Sequence, residues 1–140
     1  MNKKQIMVPV DDSSYSFDAV QYSIDYAKGM DCEILLLHCH KQFPTAIGEP
    51  FLQKAIDKIL EKADNVLVPY REIYKENNVH FRELLLEEPA GKVISETAKI
   101  EGINLIIMGS RGKSDLAGLI VGSTTHKVLH TAPCPVLVVR

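Results

Sequence analysis

Glycine and hydroxyl residues are concentrated in one stretch of the chain, residues 108–125, in a pattern that suits anion binding. The stretch holds four glycines and five hydroxyl side chains. Glycine lets backbone amides come close to a bulky anion, and hydroxyls at the start of a helix add further hydrogen-bond donors. A phosphate-bearing ligand is therefore the first hypothesis. The alternative is an ordinary connecting loop that happens to be rich in glycine.

Two familiar phosphate-binding motifs are absent from the sequence. Gly112-Lys113-Ser114 resembles the end of a P-loop, but the first glycine of that motif would fall at position 107, which is Ile107. No Gly-x-Gly-x-x-Gly sequence follows the first predicted strand, so the dinucleotide-binding fingerprint is missing as well. A phosphate site in this chain must be built differently.

Two cations in the glycine-rich stretch, Arg111 and Lys113, could neutralise phosphate charge. The alternative is that they are solvated loop charges, and this alternative weighs more for Lys113. Asp11 is the candidate on the other side of the site, because it ends the first predicted strand. In open α/β sheets, ligands bind outside the carboxyl ends of the strands, where the strand order reverses. Asp11 would there face the glycine-rich stretch and could hydrogen-bond a ribose or a base edge.

Histidine and cysteine residues offer less. His126 and His130 are four residues apart on the last predicted helix, a spacing able to bind metal. No third ligand is evident, so an exposed helix face is the preferred interpretation. His38 and His40 alternate along the second predicted strand; we expect His38 to be structural and His40 to lie near the ligand cleft. Nothing near Cys39 in sequence would lower its pKa, so a redox role is not indicated.

Five short apolar runs alternate with four helical patterns along the chain. Such runs are typical of strands buried on both faces of a parallel sheet. The predicted strands are residues 6–10, 32–39, 79–86, 104–108 and 136–139. The first helix ends at Gly29, the third runs from Pro89 to Gly102, and the fourth covers residues 123–131. The second begins at residue 51, and Pro69 predicts a kink or break near residues 65–69. The series predicts an α/β fold, a three-layer α/β/α sandwich around a parallel sheet.

Composition fits one globular domain, residues 1–140, with 46% hydrophobic and 24% charged residues. The net charge is −2 and no basic block is present, so a nucleic-acid partner is not indicated. No apolar run approaches the roughly 20 residues that cross a membrane, and the N-terminus lacks signal-peptide features. The three cysteines form no Cys-x-x-Cys pair. We expect a cytoplasmic protein with no membrane partner.

The glycine pattern resembles a family signature. Gly109-x-x-Gly112, nine intervening residues and Gly122-Ser123 are similar to the ATP-binding signature of the universal stress protein family. Val8-Pro9-Val10-Asp11 resembles that family's first strand with its adenine-side aspartate. Residues 35–39 resemble its second strand and residues 133–139 its closing strand, so the resemblance covers nearly the whole chain.

The resemblance implies a five-stranded Rossmann-like sheet of order 3-2-1-4-5, of the adenine nucleotide alpha hydrolase-like type. It implies ATP as ligand, with Mg²⁺ or Mn²⁺ carried by the phosphates, and a homodimer formed by antiparallel pairing of the last strand, Val136–Val139. By position, the adenosine would contact Pro9, Asp11 and Cys39. The ribose and phosphate side would be lined by Met108, Gly109, Arg111 and Gly112, and the phosphates would be bound by Gly122, Ser123, Thr124 and Thr125.

Two residues depart from the family pattern. Asp12 stands where the family often has glycine, and its charge could weaken polyanion binding or help to hold the metal. Cys39 stands where an aliphatic residue is common, although a buried cysteine behaves much like a small hydrophobe.

The leading hypothesis is an ATP-binding universal stress protein, a nucleotide-dependent regulator in the cellular stress response. No nucleophile–base pair is visible, so no catalytic residue is assigned and at most weak ATPase activity is expected. The alternatives are a slow ATPase or nucleotide-processing enzyme on the same fold, and a dimeric interaction module that binds no nucleotide.

Overall fold

The computed structural model describes residues 3–112 and 121–140, in which strands and helices alternate. The strands are β1 (Lys4–Pro9), β2 (Cys32–His40), β3 (Phe81–Glu87), β4 (Leu105–Gly109) and β5 (Val136–Val139). The helices are α1 (Ser14–Gly29), α2 (Phe51–Glu76), α3 (Ala90–Ile100) and α4 (Ser123–Thr131). No helix in these ranges combines the length and the apolar character that crossing a lipid bilayer requires.

The five strands form one sheet of order β3-β2-β1-β4-β5, and every neighbouring pair is parallel. The predicted fold class and strand order are confirmed. Strand ends differ from the prediction by up to two residues; β1, for example, begins at Lys4 because Lys4 and Gln5 pair with Cys32 and Glu33. Backbone pairing extends to polar residues at the end of the sheet, which an apolar pattern does not detect.

Two hydrophobic cores cover the two faces of the sheet. Side chains of a strand alternate between faces. In β2, Leu36 packs with Val20 of α1 and Tyr70 of α2, whereas Leu37 packs with Ile94 of α3. The sheet face that bears Leu36 is called the α1/α2 face, and the face that bears Leu37 is called the α3/α4 face. This division decides which side chains of each strand end can share a site.

Helix α2 runs from Phe51 to Glu76 without interruption, so the break predicted near Pro69 is wrong. Proline removes one backbone hydrogen bond, but the residues on either side are fixed by packing. Leu67, Tyr70 and Tyr74 are at most 1% exposed against the sheet. Burial of this face outweighs the local cost of the proline, because most helix stability in proteins comes from tertiary packing. A kink at Pro69 stays a prediction.

Replacing Pro69 by alanine should raise the free energy of unfolding by about 1–3 kcal/mol, because alanine restores the missing amide and removes the ring clash. Urea denaturation followed by circular dichroism measures the change. Val68→Ala, at the neighbouring exposed position, is the control and should shift stability by no more than roughly 0.5 kcal/mol. Equal stability of Pro69→Ala and the parent chain would show that the helix tolerates the proline at no cost.

Candidate functional site

A cavity of about 540 Å³ opens at the carboxyl edge of the sheet. It lies where β1 is flanked by β2 on one side and β4 on the other, which is the switch point of the topology. Parallel sheets bind ligands at this point because the connections diverge there and leave a crevice. The volume falls within the roughly 300–1,000 Å³ usual for small-molecule sites.

Ten of the eleven predicted nucleotide-binding residues line this cavity. They are Pro9, Asp11, Cys39, Met108, Gly109, Arg111, Gly112, Ser123, Thr124 and Thr125. The exception is Gly122, which is the N-cap of α4 and borders a second depression on the outer side of that helix. Lys113 lies outside the described residues.

Asp11 is held in place by the start of α1. One carboxylate oxygen, Oδ1, accepts hydrogen bonds from the backbone amide of Ser13 and the hydroxyl of Ser16, each at 2.9 Å. The carbonyl oxygen of Asp11 accepts a further bond from the hydroxyl of Tyr70 on α2. Burial, and then the nearby Asp11 carboxylate, raises the pKa of Tyr70 above its ordinary value, so its hydroxyl keeps its proton. Asp11 is therefore oriented before any ligand arrives.

Gly109 is required by helix packing. A Cβ atom at this position would lie 2.7 Å from the Cβ of Tyr15 and 2.8 Å from its carbonyl oxygen. Helix α1 therefore crosses the end of β4 at a distance that only glycine permits. The sequence pattern assigns Gly109 to the ligand side and does not indicate Tyr15, because the partner of a tightly packed glycine depends on the tertiary structure.

Arg111 lies next to Tyr15, with its guanidinium carbon 5.5 Å from the centre of the tyrosine ring. Its Nε atom is buried, and within residues 3–112 and 121–140 it has no hydrogen-bond partner. A buried donor without an acceptor costs roughly 1–3 kcal/mol. An anionic ligand in the cavity is the kind of group that would satisfy it.

Three hydrogen bonds link the start of α4, the end of β4 and β5. The amide of Gly122 donates to the carbonyl oxygen of Ser110 at 2.7 Å, and the amide of Ser110 donates to Val139 at 2.8 Å. The buried hydroxyl of Thr125 donates to the carbonyl oxygen of Gly109 at 2.8 Å. These groups hold the N-terminus of α4 at the cavity, while the first-turn residues Ser123 and Thr124 line it.

Known proteins share the sequence pattern and the fold of this chain. The sequence profile of the Universal stress protein family matches residues 2–140. The chain belongs to the universal stress protein family. It is 33% identical over 138 residues to "Universal stress protein in QAH/OAS sulfhydrylase 3'region" of Thermus aquaticus, covering 98% of each chain. The solved structure of UspA from Lactobacillus plantarum superimposes with a TM-score of 0.86 at 24% identity, over 100% of this chain and 99% of that chain.

Other solved universal stress proteins of this fold hold nucleotides. One is in complex with cAMP, one from Archaeoglobus fulgidus is in complex with dAMP, and one from Arabidopsis thaliana has AMP bound. They are 18%, 17% and 16% identical to this chain, with TM-scores of 0.74, 0.76 and 0.67. At this identity they show a common fold.

The histidines and Cys39 of this family member agree with the sequence-based interpretation. The Nδ1–H of His38 donates to the carbonyl oxygen of Val10 at 2.7 Å, and His40 lines the cavity. Burial, and then the charge of Glu88, raises the pKa of the Cys39 thiol to about 12, which disfavours a reactive thiolate.

His126 and His130 place their ring centres 4.6 Å apart on the exposed side of α4. Across the described part of the chain, no three histidine, cysteine or carboxylate side chains converge as a metal site. The paired histidines therefore lack a third ligand of these types among the described residues.

Sequence reasoning missed the contribution of α2 to the cavity. Ile59, Lys62, Ala63 and Val66 line it. Their spacing marked them as one helix face, but the sequence does not show how far a helix extends past the end of a sheet.

Proposed function

We propose that this universal stress protein binds an adenine nucleotide, ATP, in the carboxyl-edge cavity and acts as a nucleotide-dependent regulator in the stress response. The observation that carries the proposal is the buried Nε of Arg111, which lines the same cavity as the N-terminus of α4 and has no partner among the described residues. Both features favour a negatively charged group at one place.

The phosphates would lie at the start of α4. First-turn amides of a helix are not bonded within the helix, and the helix dipole places partial positive charge there. Ser123 and Thr124 present this turn to the cavity, and Arg111 and Gly112 border it. The Thr125 hydroxyl and the Gly122 amide are already bonded within the protein. These two residues would therefore hold the helix start in place and would not donate these groups to the phosphates.

The adenosine would lie against the α3/α4 face. Pro9, Cys39 and Met108 form an apolar wall on that side, with Asp11 at its edge. Such a wall suits a flat base, and a carboxylate held in a fixed orientation suits a hydroxyl or amino donor. The nucleotides in the solved relatives, cAMP, dAMP and AMP, all contain adenine.

A divalent cation, Mg²⁺ or Mn²⁺, would be held mainly by the phosphate oxygens. Hard cations prefer oxygen ligands, and Mg²⁺ is usually bound through phosphates plus one or two carboxylates. Asp12 is exposed and lines the cavity, so it is placed to add a carboxylate. The cation would supply charge neutralisation, which would let a triphosphate lie close to Asp12.

Isothermal titration calorimetry of the whole chain with ATP, ADP and AMP, with and without MgCl₂, tests the proposal. We expect one site, and we expect magnesium to strengthen ATP binding more than AMP binding. Asp11→Asn keeps an oxygen that accepts from Ser13 and Ser16 but removes the charge. It should lower the binding affinity for all three nucleotides. Asp18→Asn, on the exposed side of α1, is the matched control. Absence of binding by all three nucleotides would favour an interaction module.

We further propose that β5 pairs with β5 of a second copy. It is the last strand of the described sheet, with one edge turned away from β4. The carbonyl oxygens of Pro135 and Val139 accept bonds from Ile106 of β4 and from Ser110, which follows β4. Alternation therefore places the backbone groups of Val138 on the outer edge. An unpaired apolar edge invites another strand.

Val138→Pro should convert a dimer to a monomer, because it removes an outer N–H while leaving the β4 side of the strand intact. Sedimentation velocity measures the assembly state, and circular dichroism checks the fold. Val138→Ala keeps the amide and should stay dimeric. A folded, dimeric Val138→Pro variant would exclude pairing through this edge.

A further inference from the structure

The cavity extends over the carboxyl edge onto both faces of the sheet. Leu37 and Cys39 of β2 belong to the α3/α4 face, and the alternation of side chains assigns His38 and His40 to the α1/α2 face. Both pairs line the same cavity. The part on the α1/α2 face, here named the α2-side lobe, is lined by His38, His40, Ile59, Lys62, Ala63 and Val66. None of the eleven predicted nucleotide-binding residues belongs to it.

Helix α2 leaves apolar surface uncovered in this lobe. Ile59, Ala63 and Val66 lie on one helix face, which continues into the fully buried Tyr70 and Tyr74. The rings of Tyr70 and Tyr74 fill the space between the C-terminal part of α2 and the sheet. The smaller side chains that precede them on this face fill less of it, and Ile59 and Val66 stay only half-buried. An apolar group in the lobe would remove this surface from water.

Two imidazoles and the ammonium group of Lys62 are the polar groups of the lobe. The Nδ1 of His38 lies 2.7 Å from the carbonyl oxygen of Val10, and the Nδ1 of His40 lies 2.6 Å from that of Lys41. A carbonyl oxygen cannot donate, so each Nδ1 carries a proton, and in the tautomer protonated at Nδ1 the Nε2 atom is an acceptor. In the described ranges neither Nε2 forms a hydrogen bond. The ring of His40 is also fixed by stacking on Phe43 at 4.7 Å.

We propose that the α2-side lobe is a second subsite that binds a small aromatic molecule carrying an N–H or O–H donor, beside the nucleotide. The apolar helix face of α2 packs against the ring, and the Nε2 atom of His40, whose ring is held against Phe43, accepts the hydrogen bond. This subsite does not depend on the nucleotide proposal, because the two use opposite faces of the sheet.

Indole and 1-methylindole are matched probes, because they share the ring system and only indole donates a hydrogen bond. Titration of the whole chain, followed by methyl and imidazole resonances in NMR, should show indole shifting signals of Ile59, Val66 and His40. We expect 1-methylindole to bind roughly two- to tenfold more weakly, since a hydrogen bond to a neutral acceptor contributes roughly 0.5–1.5 kcal/mol.

Two alanine-to-leucine variants separate the subsites. Ala63→Leu fills the α2-side lobe and should abolish indole binding, whereas Ala90→Leu fills the opposite wall of the cavity and should leave it unchanged. His40→Phe keeps an aromatic ring stacked on Phe43 and should reduce indole affinity to that of 1-methylindole. This variant tests the acceptor if Ala63→Leu fails to fold.

The proposal is overturned if indole shifts only α3/α4-face signals such as those of Ile94, if both probes bind equally, or if neither binds. The indole titration is repeated in the presence of saturating AMP. Failure of the indole subsite can then be distinguished from failure of nucleotide binding, because calorimetry measures nucleotide binding separately.

Discussion

Replacement of Ser123 by aspartate is expected to lower the affinity for ATP by roughly ten- to hundredfold while leaving the fold intact. Ser123 is the exposed first residue of α4 and lines the cavity. A carboxylate there would oppose the phosphates at short range, where two unit charges interact by about 1–4 kcal/mol near a protein surface. Each 1.4 kcal/mol is about tenfold in affinity. The same carboxylate is favourable for the helix dipole, so thermal stability should be equal or higher.

The charge and the size of the new side chain are separated by Ser123→Asn, which has nearly the shape of aspartate and should retain most of the affinity. AMP carries fewer phosphates and should be affected less than ATP. Calorimetry with both nucleotides, and thermal unfolding of all three proteins, give the required comparison. Unchanged ATP affinity in the aspartate variant would falsify the placement of the phosphates at α4.

Gly109→Ala should lower the free energy of unfolding by about 1–3 kcal/mol, the usual cost of overpacking a well-packed core. The added Cβ would meet the backbone of Tyr15 at 2.8 Å, and backbone cannot rotate away as a side-chain tip can. Helix α1 would have to move off β4. Since Tyr15 also contacts Arg111, the variant should weaken ATP binding as well. Urea denaturation and calorimetry measure the two effects.

Gly29→Ala is the matched control, because nothing lies within 4 Å of a Cβ at that position. Its stability should be unchanged or slightly higher, since alanine restricts the unfolded chain more than glycine does. If Gly109→Ala kept full stability and lost only ATP binding, the glycine would serve ligand approach and the packing explanation would be wrong.

The fold could be predicted from the sequence because each pattern that indicates a strand or a helix end is local. Apolar runs such as 32–39 mark strands buried on both faces, and the residues around Gly29 and Pro89 mark helix ends, whatever the rest of the chain does. Pro69 shows the limit of local signals. The break that it predicts is absent, because the burial of Leu67 and Tyr70, a property of the assembled sheet, keeps the helix continuous.

The candidate site was predicted in part. Parallel strands all end at one edge, so Asp11, Cys39 and Gly109 could be placed together from the order of the elements alone. The contact of Gly109 with Tyr15 could not, because α1 and β4 are far apart in the chain and meet only in the folded sheet. The same holds for Lys62 and Ala63, which α2 brings over the strand ends.

The sequence by itself determined the family, the strand order that family membership implies, and ten of the residues around the cavity. These depend on residue types at fixed spacings, which can be read directly from the linear sequence. Only the tertiary structure decided that Gly109 serves helix packing, that the hydroxyl of Thr125 is bonded to the sheet, and that His38 and His40 line the cavity. Those are outcomes of long-range packing, in which the partner of a side chain is chosen by how helices lie across the sheet.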